Sequence, residues 1–456
     1  MTGECVGLWP LRGVYPERSE WAQGDSRARA DFRLSVLSAL SALSALSTPL
    51  QAQSGSPAGP VPVERLAARR LALLQRLGPG VAVIRSATQR SIEGDYPQDS
   101  DYREANNFFY LTGIEAPGGA LALVARESAP DRQILYLPVR DSVAERWTGR
   151  TLGTGPEATA LTGVKDVRPV SRAAQEIGLL GVALASEDLD TAIAELRQVK
   201  DADEIGRLRR AAAITADALR QAMAEAEPGT WEYELEAVIE GRFRREGAER
   251  VGFPSIVGSG PNSTILHYDK NRRRTAAGEL VVLDVGAEFG YYSADVTRTI
   301  PVSGRFTARQ RQLYDLVLAT QQAAIDSVRP GTDLVTLNLI ARGYMRSHSG
   351  SLCGQETCDR YWPHGLSHWL GMDVHDVGAF ARPLVPGMVL TVEPGIYLPD
   401  ESLGIRIEDD VLVTPTGYEV LSAGAPRQAA EVERAMLGLR RAFKNGEGKE
   451  FLDLHR

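Results

Sequence analysis

The spacing of apolar residues predicts an α/β organisation for the first clearly patterned part of the chain. From residue 63 to about 77, apolar residues recur at helical spacing with arginines between them, and a Gly-Pro-Gly break separates this helix from a strand at 81–84. Further strands are predicted over three short apolar runs, at 108–111, 120–124 and 134–137. We therefore expect an N-terminal α/β domain.

A second region opens with a long helical pattern over about 200–224, and we place the domain boundary near Glu195. Pro-Gly-Thr occurs at 228–230 and again at 330–332, each time before a helical pattern. A histidine and two carboxylate-bearing strands follow each phrase, which predicts two similar halves. The expected organisation is a leader at 1–60, an N-terminal domain at 61–195, a second domain at 196–440 and a tail at 441–456.

The leader has the order basic, apolar, small that is typical of a secretory signal peptide. Arg27, Arg29 and Arg33 precede the apolar run at 34–46, although this reading places the true translation start downstream of Met1. The alternative is a low-complexity Leu-Ser-Ala linker or a weak amphipathic helix. A signal peptide implies a secreted or periplasmic protein, and otherwise we expect a cytoplasmic one. No other stretch reaches the length of about 18 apolar residues that a stable membrane span needs.

Composition excludes some classes of function. The chain has 456 residues, 43% of them hydrophobic, which is enough for two globular domains with cores. A net charge of -8 without a dense block of basic residues argues against nucleic acid as a partner. Cys5, Cys353 and Cys358 make neither a disulfide framework nor a CxxC zinc site. In an exported protein Cys353 and Cys358 can pair, and the alternative is two free thiols.

Two carboxylates lie on a predicted hairpin in the first half of the second domain. Asp284 ends an apolar run and Asp295 lies on the return strand, with a turn expected near residues 289–290. A symmetric register would place the two carboxylates opposite one another, with Cβ atoms about 5 Å apart. Because like charges among apolar residues repel, a cation between them is the expected explanation.

The second half repeats this arrangement. Glu393 and Glu408 lie symmetrically about a turn-rich segment at 399–402. Four carboxylates from two hairpins make an oxygen-rich site that suits Mn(II), Co(II) or another divalent ion better than a thiolate-type zinc site. A pair of ions about 3.5–4 Å apart, bridged by carboxylates and a hydroxide, fits such a site.

Three of the six histidines, His364, His368 and His375, fall within residues 363–376, shortly before the Glu393 strand. The spacing of His364 and His368 is similar to that of a helical zinc pair. However, no glutamate lies between them and glycines flank the stretch, so the HExxH motif of metalloproteases does not apply. We expect a loop or strand that supplies one metal ligand.

The order of these residues resembles a known family. Asp284, Asp295, His368, Glu393 and Glu408 resemble the five-ligand signature of metallopeptidases with the pita-bread fold. The phrases HGLSHWLGMDVHD, TVEPGIY and GIRIEDD resemble the aminopeptidase P branch, and residues 102–113 and 139–150 are similar to its N-terminal domain. The resemblance implies an α/β (α+β) protein in which a creatinase-like α/β domain precedes a pita-bread catalytic domain with pseudo-twofold halves.

The same resemblance implies two divalent ions, Mn(II) as the first choice and Co(II) or Zn(II) as alternatives. One ion would be held by Asp284, Asp295 and Glu408, and the other by Asp295, His368, Glu393 and Glu408. A hydroxide between the ions would be the nucleophile.

The remaining roles also come from the resemblance. Glu393 would move a proton toward the leaving proline nitrogen. His267 and His375 would polarise the scissile carbonyl and stabilise the oxyanion. His364 would line the proline pocket, and Arg406 would orient the ligands.

The implied activity is that of an Xaa-Pro aminopeptidase acting on peptides with proline at the second position, in a homo-oligomer (dimer or tetramer). The nearest alternative is a prolidase, which uses the same five ligands but cleaves Xaa-Pro dipeptides. A creatinase-like, metal-free enzyme would lack several of these ligands. A non-catalytic peptide-binding module is the alternative from another class of protein.

Overall fold

The computed structural model describes residues 57–89, 102–127 and 129–444. Most of the predicted leader and tail lies outside these residues, so the predicted signal peptide lies outside the described part of the chain. Within that part, no helix combines the length and the apolar character that a membrane crossing requires.

The N-terminal region is a four-stranded sheet with helices packed against it. Strands β1, β2 and β3 are antiparallel neighbours, and β4 joins β3 in parallel. The elements run in the order α1 (Val63–Arg76), β1 (Gly80–Arg85), α2 (Asn106–Thr112), β2 (Ala120–Ala125), β3 (Arg132–Leu137), α3 (Glu145–Thr148), α4 (Pro156–Thr162), β4 (Asp166–Pro169), α5 (Ala173–Leu180) and α6 (Ser186–Gln198). This order confirms the predicted α/β class.

One predicted strand is wrong, because residues 108–111 belong to helix α2. Phe108 and Leu111 lie three residues apart and are both buried, which is the spacing of one helix face. The helix ends at Gly113, whose positive φ of 67° gives the left-handed conformation common at helix ends. A run of only four apolar residues does not distinguish a strand from a short helix.

The second region contains two pairs of packed helices and several short sheets. Its elements are α7 (Ala202–Glu225), α8 (Glu232–Arg245), β5 (Arg250–Val251), β6 (Ile256–Ser259), β7 (Leu280–Val285), β8 (Ala287–Phe289), β9 (Tyr292–Ser293), β10 (Val296–Pro301), α9 (Ala308–Ile325), α10 (Leu334–His348), β11 (Val389–Val392), β12 (Gly395–Leu398), β13 (Leu403–Arg406), β14 (Asp409–Thr414), β15 (Gly417–Val420) and α11 (Ala429–Lys444). The long predicted helix over about 200–224 corresponds to α7.

These elements form two similar halves. Helices α7 and α8 accompany the sheet β10-β7-β6, and helices α9 and α10 accompany the sheet β11-β14-β15. Gly229 and Gly331 of the repeated Pro-Gly-Thr phrase both have positive φ angles, 97° and 93°, just before α8 and α10. The two phrases therefore begin equivalent helices, as the repeat predicted, and the pseudo-twofold pita-bread fold is confirmed.

The hairpin in the first half turns one residue later than predicted. Gly290 and Tyr291 have φ angles of 57° and 74°, and two such residues are what a type I′ turn requires. Phe289 pairs with Tyr292 across this turn. Moving the turn centre by one residue changes the register of the flanking strands by two residues, which alters the pairing of the carboxylates described below.

A disulfide joins Cys353 and Cys358 in the segment after α10. Both cysteines are buried in the same core cluster as Trp362 and the β11 strand. The bridge therefore ties the segment that leads to the histidine cluster against the core of the second half.

Candidate metal centre and active site

The two carboxylates of the first half reach the site from neighbouring strands. Asp284 on β7 pairs with Thr297 on β10, and not with Asp295 as the sequence analysis predicted. Asp295 lies one residue before β10 and two residues before Thr297, so its side chain points to the same face of the sheet. Both carboxylates consequently line one cavity even though the predicted register is wrong.

The two carboxylates of the second half are opposite one another, as predicted. Glu393 directly follows β11 and Glu408 directly precedes β14, between the Val392–Asp409 and Gly395–Arg406 pairs of the ladder. The cross-strand alignment places both glutamates at the same level on adjacent strands.

His368 joins these carboxylates from a non-helical segment, in agreement with the prediction that a loop or strand supplies this histidine. Its backbone carbonyl accepts a hydrogen bond from the Thr391 amide, which fixes it beside the strand that leads to Glu393. The ring Nδ1 lies 3.1 Å from the Trp369 carbonyl oxygen, so an Nδ1–H can donate there. The lone pair of Nε2 then faces the site.

The resulting cluster is compact. Nε2 of His368 lies 3.2 Å from a carboxylate oxygen of Asp295 and 3.6 Å from one of Glu393. Ligand atoms of Asp295, His368 and Glu408 all lie within 4.8 Å of one another. A single cation can therefore contact all three side chains.

Electrostatics within the cluster favour a bound cation. Burial, together with the neighbouring carboxylates, raises the pKa of Asp295 and of Glu408 well above the usual carboxyl range. Burial also raises the pKa of Glu393. Oδ1 of Asp284 is buried and has no hydrogen-bond partner among the described residues. A divalent ion would offset the repulsion between the carboxylates and would coordinate the unpartnered oxygen of Asp284. The residues present therefore fit metal binding.

The cavity that contains the cluster has a volume of about 770 Å³. Phe253, Ile256, Leu266 and Val374 contribute apolar walls. The structure brings every site residue predicted from the sequence to this cavity, namely His267, Asp284, Asp295, His364, His368, His375, Glu393, Arg406 and Glu408. An apolar cavity with a few convergent polar groups is typical of a binding site for a small substrate.

His267 and His375 lie at one side of the cluster. The ring centroid of His375 is 4.2 Å from that of His368, and the ring of His267 is 6.4 Å from that of His375. Burial and the two neighbouring histidines lower the pKa of His375, so that ring is neutral at neutral pH. A neutral imidazole can donate an N–H to a carbonyl oxygen or an oxyanion in the cavity.

Arg406 connects the carboxylate–histidine cluster to Tyr397. Its guanidinium donates to Asp284 at 2.6 Å, to the Tyr397 hydroxyl at 2.8 Å and to the Thr297 hydroxyl at 3.2 Å. Nε2 of His364 lies 2.8 Å from the Tyr397 hydroxyl. Burial and the charge of Arg406 lower the pKa of His364 to about 4, which keeps this ring neutral.

Several supporting residues were not predicted from the sequence. Tyr397 links Arg406 to His364, and the Thr297 hydroxyl donates to Glu408 at 2.6 Å. The carboxylate of Asp410 accepts the backbone N–H of Asp295 at 3.2 Å. Tyr397 and Asp410 lie within the TVEPGIY and GIRIEDD phrases. The polar residues beside a buried strand in these phrases are the sequence feature from which the two residues could have been predicted.

An ion pair lies behind the cluster. Arg298 and Asp409 pair at 2.7 Å with both side chains fully buried. Arg298 also donates to the backbone carbonyl of Glu408 at 2.6 Å. The pair therefore fixes the strand that presents Glu408.

The Tyr397→Phe substitution tests the role of this hydroxyl. We expect kcat/KM to fall by about 10–100-fold, the effect usually seen when a residue that supports metal ligands is lost, because Arg406 and His364 lose their shared partner. Steady-state kinetics on the Xaa-Pro peptide that the sequence resemblance implies as substrate measure the change. Tyr418→Phe is the matched control, since the Tyr418 hydroxyl bonds Asp326 at an exposed position. Equal activity of the two variants would contradict the role of Tyr397.

Comparison with known proteins agrees with the geometry of the site. The family model for metallopeptidase family M24 matches residues 206–415, and the model for the aminopeptidase P N-terminal domain matches residues 66–183. The Xaa-Pro aminopeptidase of Escherichia coli (strain K12) is 36% identical over an aligned length of 433, and the match covers 82% of this chain and 97% of that protein.

Solved structures show the same similarity. Zn-substituted E. coli aminopeptidase P in complex with product has a TM-score of 0.76 and 34% identity, over 84% of this chain and 100% of that chain. Proline aminopeptidase P II from Yersinia pestis has a TM-score of 0.76 and 35% identity, over 82% and 99% of the two chains.

The fold, the two matched models and the carboxylate–histidine cluster together define a metallopeptidase of family M24. The N-terminal domain and the similarity over nearly the whole length of the relatives identify one family within this class. The chain belongs to the aminopeptidase P family. Family membership and the cluster also indicate that the site binds divalent metal ions.

Proposed function

We propose that the protein is an Xaa-Pro aminopeptidase, which hydrolyses the bond between an N-terminal residue and a following proline. The convergence of Asp284, Asp295, His368, Glu393 and Glu408 on one cavity carries this proposal, in a chain of the aminopeptidase P family. The neutral rings of His364 and His375 beside the cluster add groups that can bind a peptide without adding charge.

We further propose a site for two divalent ions. Asp284, Asp295 and Glu408 are suited to hold one ion, and Asp295, His368, Glu393 and Glu408 the other. The preponderance of carboxylate oxygens favours Mn(II), with Co(II) or Zn(II) as alternatives. Bound ions would polarise the scissile carbonyl and lower the pKa of an attacking water.

The chain's own residues would supply the remaining chemistry. Glu393 would accept a proton from the attacking water and return it to the proline nitrogen as the bond breaks, and burial raises the pKa of this carboxyl toward the range that proton transfer needs. His267 and His375 would donate hydrogen bonds to the carbonyl oxygen as negative charge develops on it.

His364 and Arg406 would position the reacting groups. The 3.6 Å separation between Nδ1 of His364 and the carboxylate of Glu393 supports a role for this ring in contacting the proline of the leaving group. Arg406 would keep Asp284 oriented through the 2.6 Å charge-assisted hydrogen bond.

Metal removal tests the proposal directly. The metal-stripped protein and a Mn(II)-reconstituted sample are incubated with an Xaa-Pro dipeptide and an Xaa-Pro-Xaa-Xaa peptide, and the products are identified by mass spectrometry. We expect loss of one N-terminal residue from the longer peptide only in the reconstituted sample, because the clustered carboxylates cannot polarise a carbonyl by themselves.

Each of the other outcomes of this experiment would indicate a different function. Cleavage of the dipeptide alone would make the protein a prolidase. Tight binding of the longer peptide without any cleavage, unchanged by metal removal, would make it a peptide-binding module. A matched peptide with alanine in place of proline controls for a general aminopeptidase.

A further inference from the structure

A second cavity of about 370 Å³ adjoins the site at the N-terminal end of helix α10. We call it the α10 hollow, and its own lining comes from Leu334, Val335, Asn338, Arg342, Pro363 and Leu366. His364, Gly365, Ser367 and Phe380 line both this hollow and the larger cavity. The two cavities are therefore parts of one continuous cleft, with His364 between them.

Two polar atoms in the hollow lack partners. Oδ1 of Asn338 and the hydroxyl of Ser367 are buried without a hydrogen-bond partner among the described residues. Buried polar atoms are normally hydrogen-bonded, so a lone acceptor and a lone hydroxyl in the same hollow indicate that a ligand completes them. A peptide backbone offers the matching groups, an N–H for Asn338 and a C=O for Ser367.

Exposed apolar side chains surround these polar atoms. Val335 is 51% exposed and Phe380 is 54% exposed, and both face the hollow, while Leu334 and Leu366 form its buried floor. An apolar side chain placed between them would remove this surface from water.

The hollow also carries a positive charge. Arg342 donates to the backbone carbonyls of Trp362 and His364 at 3.1 and 2.7 Å. Its neighbour Asp359 is paired with Arg346 at 2.7 Å, and no ion pair involves Arg342 within the described parts of the chain. The Asp359 carboxylate also attracts Arg342, but Arg342, Arg346 and Asp359 together leave one positive charge, which would repel a cationic ligand.

The position of the leaving group sets the direction of the substrate. Glu393 is the proposed proton donor to the proline nitrogen. Nδ1 of His364 lies 3.6 Å from a carboxylate oxygen of Glu393. Because His364 lines both cavities, a peptide that continues from the proline past His364 enters the α10 hollow.

We infer that the α10 hollow is a subsite for the third residue of the substrate, which selects an apolar side chain and disfavours a basic one. This inference rests on the proposed Xaa-Pro aminopeptidase activity. Asn338 and Ser367 bind the backbone of that residue, its side chain packs on Val335 and Phe380, and Arg342 excludes lysine.

The test compares kcat/KM for Xaa-Pro-Leu-Gly and Xaa-Pro-Lys-Gly. We expect the native protein to prefer leucine by about tenfold or more, since a well-filled apolar pocket discriminates by at least that factor. In the Val335→Asp variant we expect the leucine/lysine ratio to fall by about tenfold, because the apolar wall is lost and the new carboxylate attracts the lysine ammonium. Val335 lies in the first turn of α10, where an aspartate is compatible with the helix.

Leu339→Asp is the matched control, since Leu339 is on the same helix and 66% exposed but does not line the hollow. This variant should keep the native ratio. The inference is overturned if Val335→Asp also keeps it, or if Val335→Asp changes the preference for the first residue instead of the third. Absence of all Xaa-Pro cleavage in the native protein would instead overturn the proposed function, so the two failures are distinguishable.

Discussion

The Asp295→Ala variant is expected to lose turnover of Xaa-Pro peptides while keeping its fold. Asp295 is the carboxylate that lies nearest to His368, at 3.2 Å, and it belongs to the compact cluster with Glu408. Both proposed ions use this side chain, so its loss affects both. We expect kcat/KM to fall by about a thousandfold or more, which corresponds to about 4 kcal/mol of transition-state stabilisation.

The fold should survive because Asp295 repels its neighbours. Burial and the charges of Asp284 and Asp410 raise the pKa of Asp295, so the carboxylate opposes folding when no cation is bound. The metal-free variant should therefore unfold at the same temperature as the metal-free parent or a higher one. Calorimetry of the two metal-free proteins and metal analysis of both reconstituted proteins measure these effects.

Asp315→Ala is the control for Asp295→Ala, since Asp315 is half-exposed on α9 and, among the residues that the structure describes, forms an ion pair only with Arg311 of the same helix. This variant should keep native activity and metal content. Native-like turnover by Asp295→Ala would rule out the proposed metal centre, whereas loss of activity through unfolding would appear in the calorimetry.

The chemistry-bearing residues could be predicted from the sequence because they lie in short phrases on regular strands. Asp284 ends an apolar run and Glu393 follows another, and a buried carboxylate in such a run has few explanations other than a cation. The symmetry of Glu393 and Glu408 about their turn was also correct, because the strand pairs on the two sides of these glutamates keep the same register.

The register of the first hairpin could not be predicted in the same way. It depends on Tyr291, a bulky residue at φ 74°, where sequence preference would place glycine, asparagine or aspartate. The ring of Tyr291 stacks on Phe109 with centroids 3.7 Å apart, and its hydroxyl donates to Glu115 at 2.5 Å. These contacts come from the N-terminal region, and such long-range packing offsets the local strain.

Contacts between distant segments explain the other omissions. In the sequence Tyr397 has the pattern of an ordinary strand residue. Its role follows only from the contacts of its hydroxyl with Arg406 and His364, which are distant in the chain or on another segment. A strand was predicted for residues 108–111 because four residues do not show whether buried positions repeat at strand or at helix spacing. The packing of α2 against the N-terminal sheet decides this. Local pattern identifies the reacting groups, and tertiary contacts determine how they are held.

The Asp376→Ala variant is expected to be strongly destabilised. The carboxylate of Asp376 accepts hydrogen bonds from Arg197 at 2.6 Å and from Lys200 at 3.1 Å, and at most 4% of any of these side chains is exposed. Removing the anion leaves the buried Lys200 without an ion-pair partner among the described residues and leaves Arg197 with only the half-exposed Asp373. Breaking such a buried pair typically costs about 3–5 kcal/mol. Urea unfolding measures this loss of stability.

Activity should also fall in the Asp376→Ala variant, because Asp376 directly follows His375 and lines the same cavity. Arg197 lies in the last turn of α6 and Lys200 precedes α7, so the ion triad fixes the His375 segment to the junction between the two regions of the chain. We expect a lower kcat under conditions where the variant is still folded. Unchanged kcat would show that the triad contributes to stability alone.

The loss of stability in Asp376→Ala should depend on pH and should be larger than the loss caused by removing the neighbouring carboxylate of Asp373. Burial alone would raise the pKa of Asp376, but the charges of Lys200 and Arg197 outweigh it and lower the pKa below the usual value of 3.8. The stabilisation is therefore fully present above that value and is lost as the pH falls through the folded-state pKa. Asp373 also pairs with Arg197, at 3.1 Å, but 48% of its side chain is exposed. Asp373→Ala should therefore cost at most about 1 kcal/mol, and an equal loss in both variants would show that burial of the triad is not the cause.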